Sequence, residues 1–128
     1  MRMPHLTTCV SITAAGQTFK PLIILPNKKK LGDLEDFIPL ANFATSSSGW
    51  MTKTIFTIWV IYFVAEIQLY RLSLPKDIRD DRILLIVDGH SSRINLDALI
   101  ILYLFDIDCL ILPGHSSHVL QLFVLTVA

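Results

Sequence analysis

Five consecutive apolar residues, Ile83-Leu84-Leu85-Ile86-Val87, run directly into Asp88 and Gly89. A short unbroken run of Ile, Leu and Val reads as a β-strand buried on both faces, the kind found in α/β sheets. A carboxylate then stands at the carboxyl end of that strand, where open α/β sheets place their chemistry. Gly89 permits a tight turn and close approach of backbone or ligand. Asp88 is therefore the leading candidate for a functional residue. The plainer reading is an aspartate that caps a helix or makes a turn.

The chain has 128 residues, enough for one domain with a proper core. Hydrophobic residues make up 52% and charged residues 17%, more apolar than an average soluble domain. Three readings follow: a membrane-embedded chain, a fragment exposing surfaces once covered, or a core-rich α/β sheet. The membrane reading fails on length, because Ile55–Ala65 is followed by Glu66 and Ala98–Phe105 by Asp106 and Asp108. A bilayer span needs about 20 mostly apolar residues. Met1–His5 lacks an apolar h-region, so no signal peptide is expected. Formal net charge is zero, which argues against a general polyanion binder. The basic cluster Lys28-Lys29-Lys30 reads as a solvated loop. Cys9 and Cys109 read as buried thiols without zinc-site spacing.

Along the chain, Leu6–Thr13 and Thr18–Leu25 read as a hairpin around Ala14–Gln17, with Pro21 near an edge or bulge. Residues 26–49 form a long loop rich in Pro, Gly and Ser. Trp50 to Leu72 reads as a helix capped by Thr52 or Thr54, with Phe56, Trp59, Val60, Phe63 and Ile67 as its core stripe. Asn95–Phe105 reads as a second helix capped by Asn95, and Ile107–Leu112 as another buried strand. Val119–Ala128 reads as an incomplete final element, a helix; Ser116 and Ser117 would cap it or touch phosphate oxygens. The expected order is β-β-α-β-α-β.

Phosphoryl chemistry at a metal pair uses several carboxylates around ions about 3.5–4 Å apart, so Asp88 needs partners. Asp106 and Asp108 fall at the opposite end of a parallel strand pair and read as a solvated turn. Asp77, Asp80 and Asp81 read as surface charge in a linker. His115 and His118, with His90, are accessory candidates at the Asp88 end; a His-x-x-His step suggests a metal pair or a general base, but no third ligand is evident. Ser91 and Ser92 do not form a Gly-x-Ser-x-Gly elbow, so hydrolase chemistry ranks low.

Several blocks agree in order and spacing with one family. They are Thr8-Cys9-Val10 to Gly16 with Pro21-Leu22-Ile23-Ile24, Ser48-Gly49-Trp50, and Phe56 with Trp59. Leu84 to Arg93, containing Val87-Asp88-Gly89-His90-Ser91-Ser92, follows, and then Leu112-Pro113-Gly114-His115-Ser116-Ser117-His118-Val119-Leu120-Gln121. The chain resembles the catalytic core of DDE superfamily endonucleases, in the pogo, Tigger, jerky and centromere protein B-like branch of transposases. The resemblance runs from about Leu6 to the C-terminus, and residues 5–128 are read as one such core.

The resemblance implies an RNase H-like mixed sheet flanked by helices, a DNA substrate, Mg²⁺ or Mn²⁺ as cofactor, and a nuclear location. It places the second family aspartate on Asp88. The first would lie on a strand ahead of this chain's hairpin, so the fold is expected to be incomplete, with bare strand edges. The third position falls on Val124, in Leu122-Phe123-Val124-Leu125. Valine cannot ligate a hard cation that demands oxygen. Only one of three carboxylates remains, so weak Mg²⁺ affinity and an inactive enzyme are expected. Partners expected on this reading are DNA and other transposase chains, with no membrane. The alternative is a domesticated, non-enzymatic DNA or chromatin interaction module.

Overall fold

The computed structural model describes residues 7–26, 40–88, 94–112 and 122–127, the last segment by its backbone. Its elements are β1 (Thr7–Thr13), β2 (Leu22–Leu25), β3 (Asn42–Thr45), α1 (Lys53–Leu72), β4 (Ile83–Asp88), α2 (Leu96–Leu104), β5 (Ile107–Leu112) and β6 (Leu122–Val127). The six strands form one mixed sheet in the order β3-β2-β1-β6-β4-β5. This α/β arrangement, with two helices, is consistent with a partial RNase H-like fold.

The expected hairpin is present: β1 and β2 are antiparallel, with Cys9 opposite Leu22. Gly16 takes φ +93° in its turn, where its amide donates to Thr13 O at 2.9 Å. That backbone region suits glycine and strains other residues. The second arm is shorter than expected, since Thr18 makes only an isolated bridge to Ile12 before β2 begins at Leu22.

The stretch read as a loop over 26–49 contains β3, which lies parallel to β2 with Asn42 opposite Leu22. Its sequence, Asn-Phe-Ala-Thr, lacks a run of β-formers. An edge strand gains its order from backbone pairing with a neighbour far off in sequence, which local pattern does not encode.

Helix α1 begins where Thr52 Oγ1 accepts the Ile55 amide at 3.1 Å. Its Phe56, Trp59, Val60, Phe63 and Ile67 are buried, as their spacing predicts. Trp59 stacks on Phe63 with centroids 4.9 Å apart, and Phe19 meets the edge of Phe63 at 6.1 Å. These side chains join Cys9, Leu22, Ile24, Ile83, Leu85, Val87, Ala98 and Leu102 in one core cluster. Burying each large apolar group contributes roughly 1.5–3 kcal/mol. By length and composition α1 could cross a membrane. Length alone therefore does not exclude a span, but Phe56, Trp59, Val60, Phe63 and Ile67 pack this helix on the sheet as a core helix.

Three strand expectations need correction. In β4, Ile83, Leu85 and Val87 are fully buried while Leu84, Ile86 and Asp88 are only partly so, hence one face is covered rather than two. In β5, Leu110, Ile111 and Leu112 are exposed, because this strand is an edge of the sheet. The final segment is a strand, not a helix. β6 pairs parallel with β1 (Val124 opposite Ile12) and antiparallel with β4 (Val124 opposite Ile86). A short apolar run does not distinguish helix from strand. Here the pairing demand of two flanking backbones decides it. The centre of the sheet is accordingly continuous, and the outer strands are β3 and β5.

Cys9 on β1 and Cys109 on β5 are free thiols. Three strand spacings separate their strands, about 14 Å, beyond the reach of a disulfide.

Candidate active site

Asp88 is the last residue of β4, as its sequence position predicts. The alternation that sends Ile83, Leu85 and Val87 into the core places Asp88 on the opposite face, half-buried. Strands β4 and β5 are parallel, with Asp88 opposite Leu112. Val124 lies opposite Ile86, so its backbone position is on the strand beside β4 and one pleat repeat from Asp88.

The ends of both helices converge on this end of the sheet. β1 runs antiparallel to β4 through the shared neighbour β6, so Thr7 lies at the Asp88 end. Thr7 Oγ1 donates to Gly49 O at 2.7 Å, which brings the lead-in to α1 to the same end. Gly49 adopts φ +78° there, a conformation few other residues accept. Asn95 then ties the two helix starts together. Its Oδ1 accepts the Ala98 amide at 3.0 Å, capping α2, and accepts the Thr57 hydroxyl at 3.2 Å. Its Nδ2 donates to Lys53 O at 3.0 Å. Two helix N-termini side by side present amide donors and positive dipole ends toward one region. The exposed Trp50 and Lys53 stand at the start of α1. Both caps were legible in the sequence; the link between them was not.

Asp106 and Asp108 lie elsewhere, as expected. Asp108 is opposite Leu84, four residues before Asp88, or about 13 Å along the strand. It accepts Arg82 Nη2 at 2.8 Å and Arg82 Nε at 3.0 Å, and Asp106 accepts Arg82 Nη1 at 3.1 Å. Asp106 sits at φ +61°, a turn conformation aspartate tolerates. The Arg82 guanidinium holds the Asp108 carboxyl below its usual range, mainly through that hydrogen bond. Arg82 also lies 5.6 Å from the Tyr103 ring centroid. Glu66 accepts the Lys20 amide at 3.1 Å, in a groove of about 680 Å³ between the hairpin and α1, toward the far end of that helix. That groove is remote from the strand end that carries Asp88.

Among the described residues no three His, Cys, Asp or Glu side chains cluster to hold a metal ion. The described donors at the Asp88 end, one strand-end carboxylate and Asp97 in the first turn of α2, do not fit a pair of divalent ions. His90, His115 and His118, with Ser91, Ser92, Ser116 and Ser117, lie outside the described residues.

One residue the sequence did not single out holds the opposite end together. Arg71 is buried, and its guanidinium donates to the carbonyls of Arg79, Asp81, Phe105 and Asp106 at 3.0, 2.7, 3.1 and 3.3 Å. It thus joins the end of α1 to the segments that start β4 and β5. In the sequence it is merely a basic residue in a last helical turn, a place where cations are common.

Over 118 residues the chain is 30% identical to the protein described as MFS-type transporter clz9, from Cochliobolus lunatus. That match takes in 91% of this chain and 12% of the relative, so the chain spans about an eighth of the relative's length. No solved structure matches the chain. The family model for DDE superfamily endonucleases matches residues 5–128. With nearly every residue inside that match, the chain belongs to the DDE superfamily endonuclease family.

Proposed function

We propose that this chain is a transposase-derived DNA-binding domain that has lost strand cleavage. Its family is a nuclease family, whose substrates are nucleic acids and whose members generally use divalent metal ions. The observation that carries the loss is the register of β6. Val124 occupies the strand position beside Ile86, one pleat repeat from Asp88. An apolar side chain offers no oxygen to Mg²⁺ or Mn²⁺. A single strand-end carboxylate binds such ions weakly and cannot space two of them for in-line displacement.

DNA binding on this reading uses the Asp88 end of the sheet. The backbone amides at the starts of α1 and α2, with Lys53, supply donors and positive potential for phosphate oxygens. The zero net charge makes this a local contact rather than a general attraction for polyanions. The domain acts in the nucleus, on chromosomal DNA, alone or beside other transposase chains. The transporter name of the relative does not come over to this chain. A bilayer-spanning α1 would have to give up the packing of Phe56, Trp59 and Phe63 against the sheet.

The test is nicking of supercoiled plasmid with Mg²⁺ or Mn²⁺, using the native chain and Asp88→Ala side by side. The expected outcome is no metal-dependent nicking by either, with a salt-sensitive DNA mobility shift retained by both. Cleavage that disappears in Asp88→Ala would overturn the proposed loss of activity. Absence of any DNA shift at low salt, with a protein partner recovered instead, would favour the domesticated interaction module.

A further inference from the structure

The groove between the hairpin and the second half of α1 has a chemistry that strand cleavage does not use. Tyr62, Glu66 and Tyr70 follow one another at four-residue steps, so they share one face of the helix. All three line the groove, with Phe19 on the opposite wall. Its volume of about 680 Å³ is that of a site for a compact ligand or a short stretch of peptide. Independently of the nuclease reading, we propose that this groove binds a Lys or Arg side chain on an extended peptide segment of a partner protein.

Charge is the first reason. Glu66 is the single acidic residue of α1. Its Oε2 accepts the Lys20 backbone amide at 3.1 Å, which fixes the carboxylate in the groove wall without neutralising it. The ion pairs among the described residues both belong to Arg82, so the Lys20 ammonium does not pair with Glu66. Lys20 is exposed, whereas Glu66 is half-buried. Water and salt screen an exposed charge more than a half-buried one. The carboxylate therefore sets the potential on the helix wall, and a cation complements it.

The rings are the second. Tyr62 and Tyr70 stand one helical turn on either side of the carboxylate. Phe19 meets Tyr70 at 88°, with centroids 5.8 Å apart, so their faces look in perpendicular directions. A cation within about 6 Å of an aromatic face is attracted by the ring quadrupole. Lys and Arg bring a charged head on an apolar stem, which matches a carboxylate set among rings. The third reason selects a peptide over a small free cation. Gln17 and Asn42 line the groove on the sheet side. Each carboxamide offers a donor and an acceptor, the complement of a peptide unit. Leu69, 69% exposed, adds an apolar contact for a neighbouring side chain.

The experiment is fluorescence anisotropy of labelled peptides of about eight residues, titrated with the full chain at low salt. One peptide carries a pair of Lys in a Gly-Ser-Ala background; its counterparts carry Glu or Leu at the same places. The Lys peptide alone is expected to bind. Glu66→Gln keeps an oxygen for the Lys20 amide and removes only the charge, and should weaken binding about tenfold. Tyr62→Leu, at an exposed position, should weaken it about threefold. Thermal unfolding checks that both variants fold, and Asp88→Ala should bind as the native chain does. No binding of the Lys peptide up to about 1 mM chain overturns the proposal. So does equal binding of the Glu peptide, an affinity that Glu66→Gln leaves unchanged, or a loss of binding in Asp88→Ala.

Discussion

Replacing Arg71 by methionine tests how firmly the end of the molecule opposite Asp88 is tied. Methionine keeps the unbranched stem that fills the space beneath the loops and removes only the guanidinium. Four charge-assisted hydrogen bonds, 2.7–3.3 Å long, are lost at once. A bond to a charged group contributes about 1.5–3 kcal/mol when its partner is left bare. The carbonyls here belong to Arg79, Asp81, Phe105 and Asp106, of which the last three are exposed residues. Water therefore replaces much of what is removed, and the net loss falls to about 2–4 kcal/mol. In a domain of this size each kcal/mol lowers the melting temperature by roughly 3–4 °C. Urea denaturation followed by tryptophan fluorescence reads the same quantity, since Trp59 lies in the core. Arg71→Lys recovers only part of it, because a single ammonium cannot span four carbonyls on two segments. A loss below about 0.5 kcal/mol for methionine, or full recovery by lysine, would refute the view that the planar fork organises this end.

Three further outcomes are expected. Asp108 has its folded pKa depressed by Arg82, so its contribution to stability is present above the unfolded value of about 3.9 and fades as pH falls through the folded value. A carbon-detected carboxyl titration should show this depression, and Arg82→Ala should abolish it. Burial pushes the Cys9 thiol far up and the Cys109 thiol up to about 11. Both should react slowly with an aromatic disulfide at pH 8 in the folded chain, Cys109 before Cys9; the reverse order would contradict the burial of β1. Asn95→Ala removes the cap of α2 and the tie to Lys53, at a cost of about 1–2 kcal/mol. Asn95→Asp, which keeps the acceptor but not the donor, should lose less, as thermal unfolding will show.

The parts of this fold that announce themselves are those whose residues carry their own local reason. The stripe Phe56, Trp59, Phe63 and Ile67 forces a helix with one buried face, and Thr52 and Asn95 cap where short polar side chains should. Asp88 at the end of an apolar strand was visible for the same reason. What stayed hidden depends on distant partners. Asn42–Thr45 becomes β3 only because β2 is beside it. Ile107–Leu112 looks like a core strand, but nothing in its composition says that it will stand at an edge. The four carbonyls around Arg71 come from segments up to 35 residues away. Likewise, the proximity of the Val124 backbone to β4 arises from a register no local pattern contains.

The placement of β6 has a consequence for how the protein is made. Of the eight described elements it leaves the ribosome after the other seven, yet it fills the middle of the sheet, between β1 and β4. Until it arrives, β1-β2-β3 and β4-β5 are two separate ribbons, each showing an open inner margin. Translation at about 5–20 residues per second leaves those margins bare for several seconds. Late closure through long-range pairing is slow and exposes sticky edges meanwhile. A nascent chain of this design therefore depends on chaperones that shield β1 and β4, and premature termination before residue 122 should yield aggregates rather than a smaller folded domain.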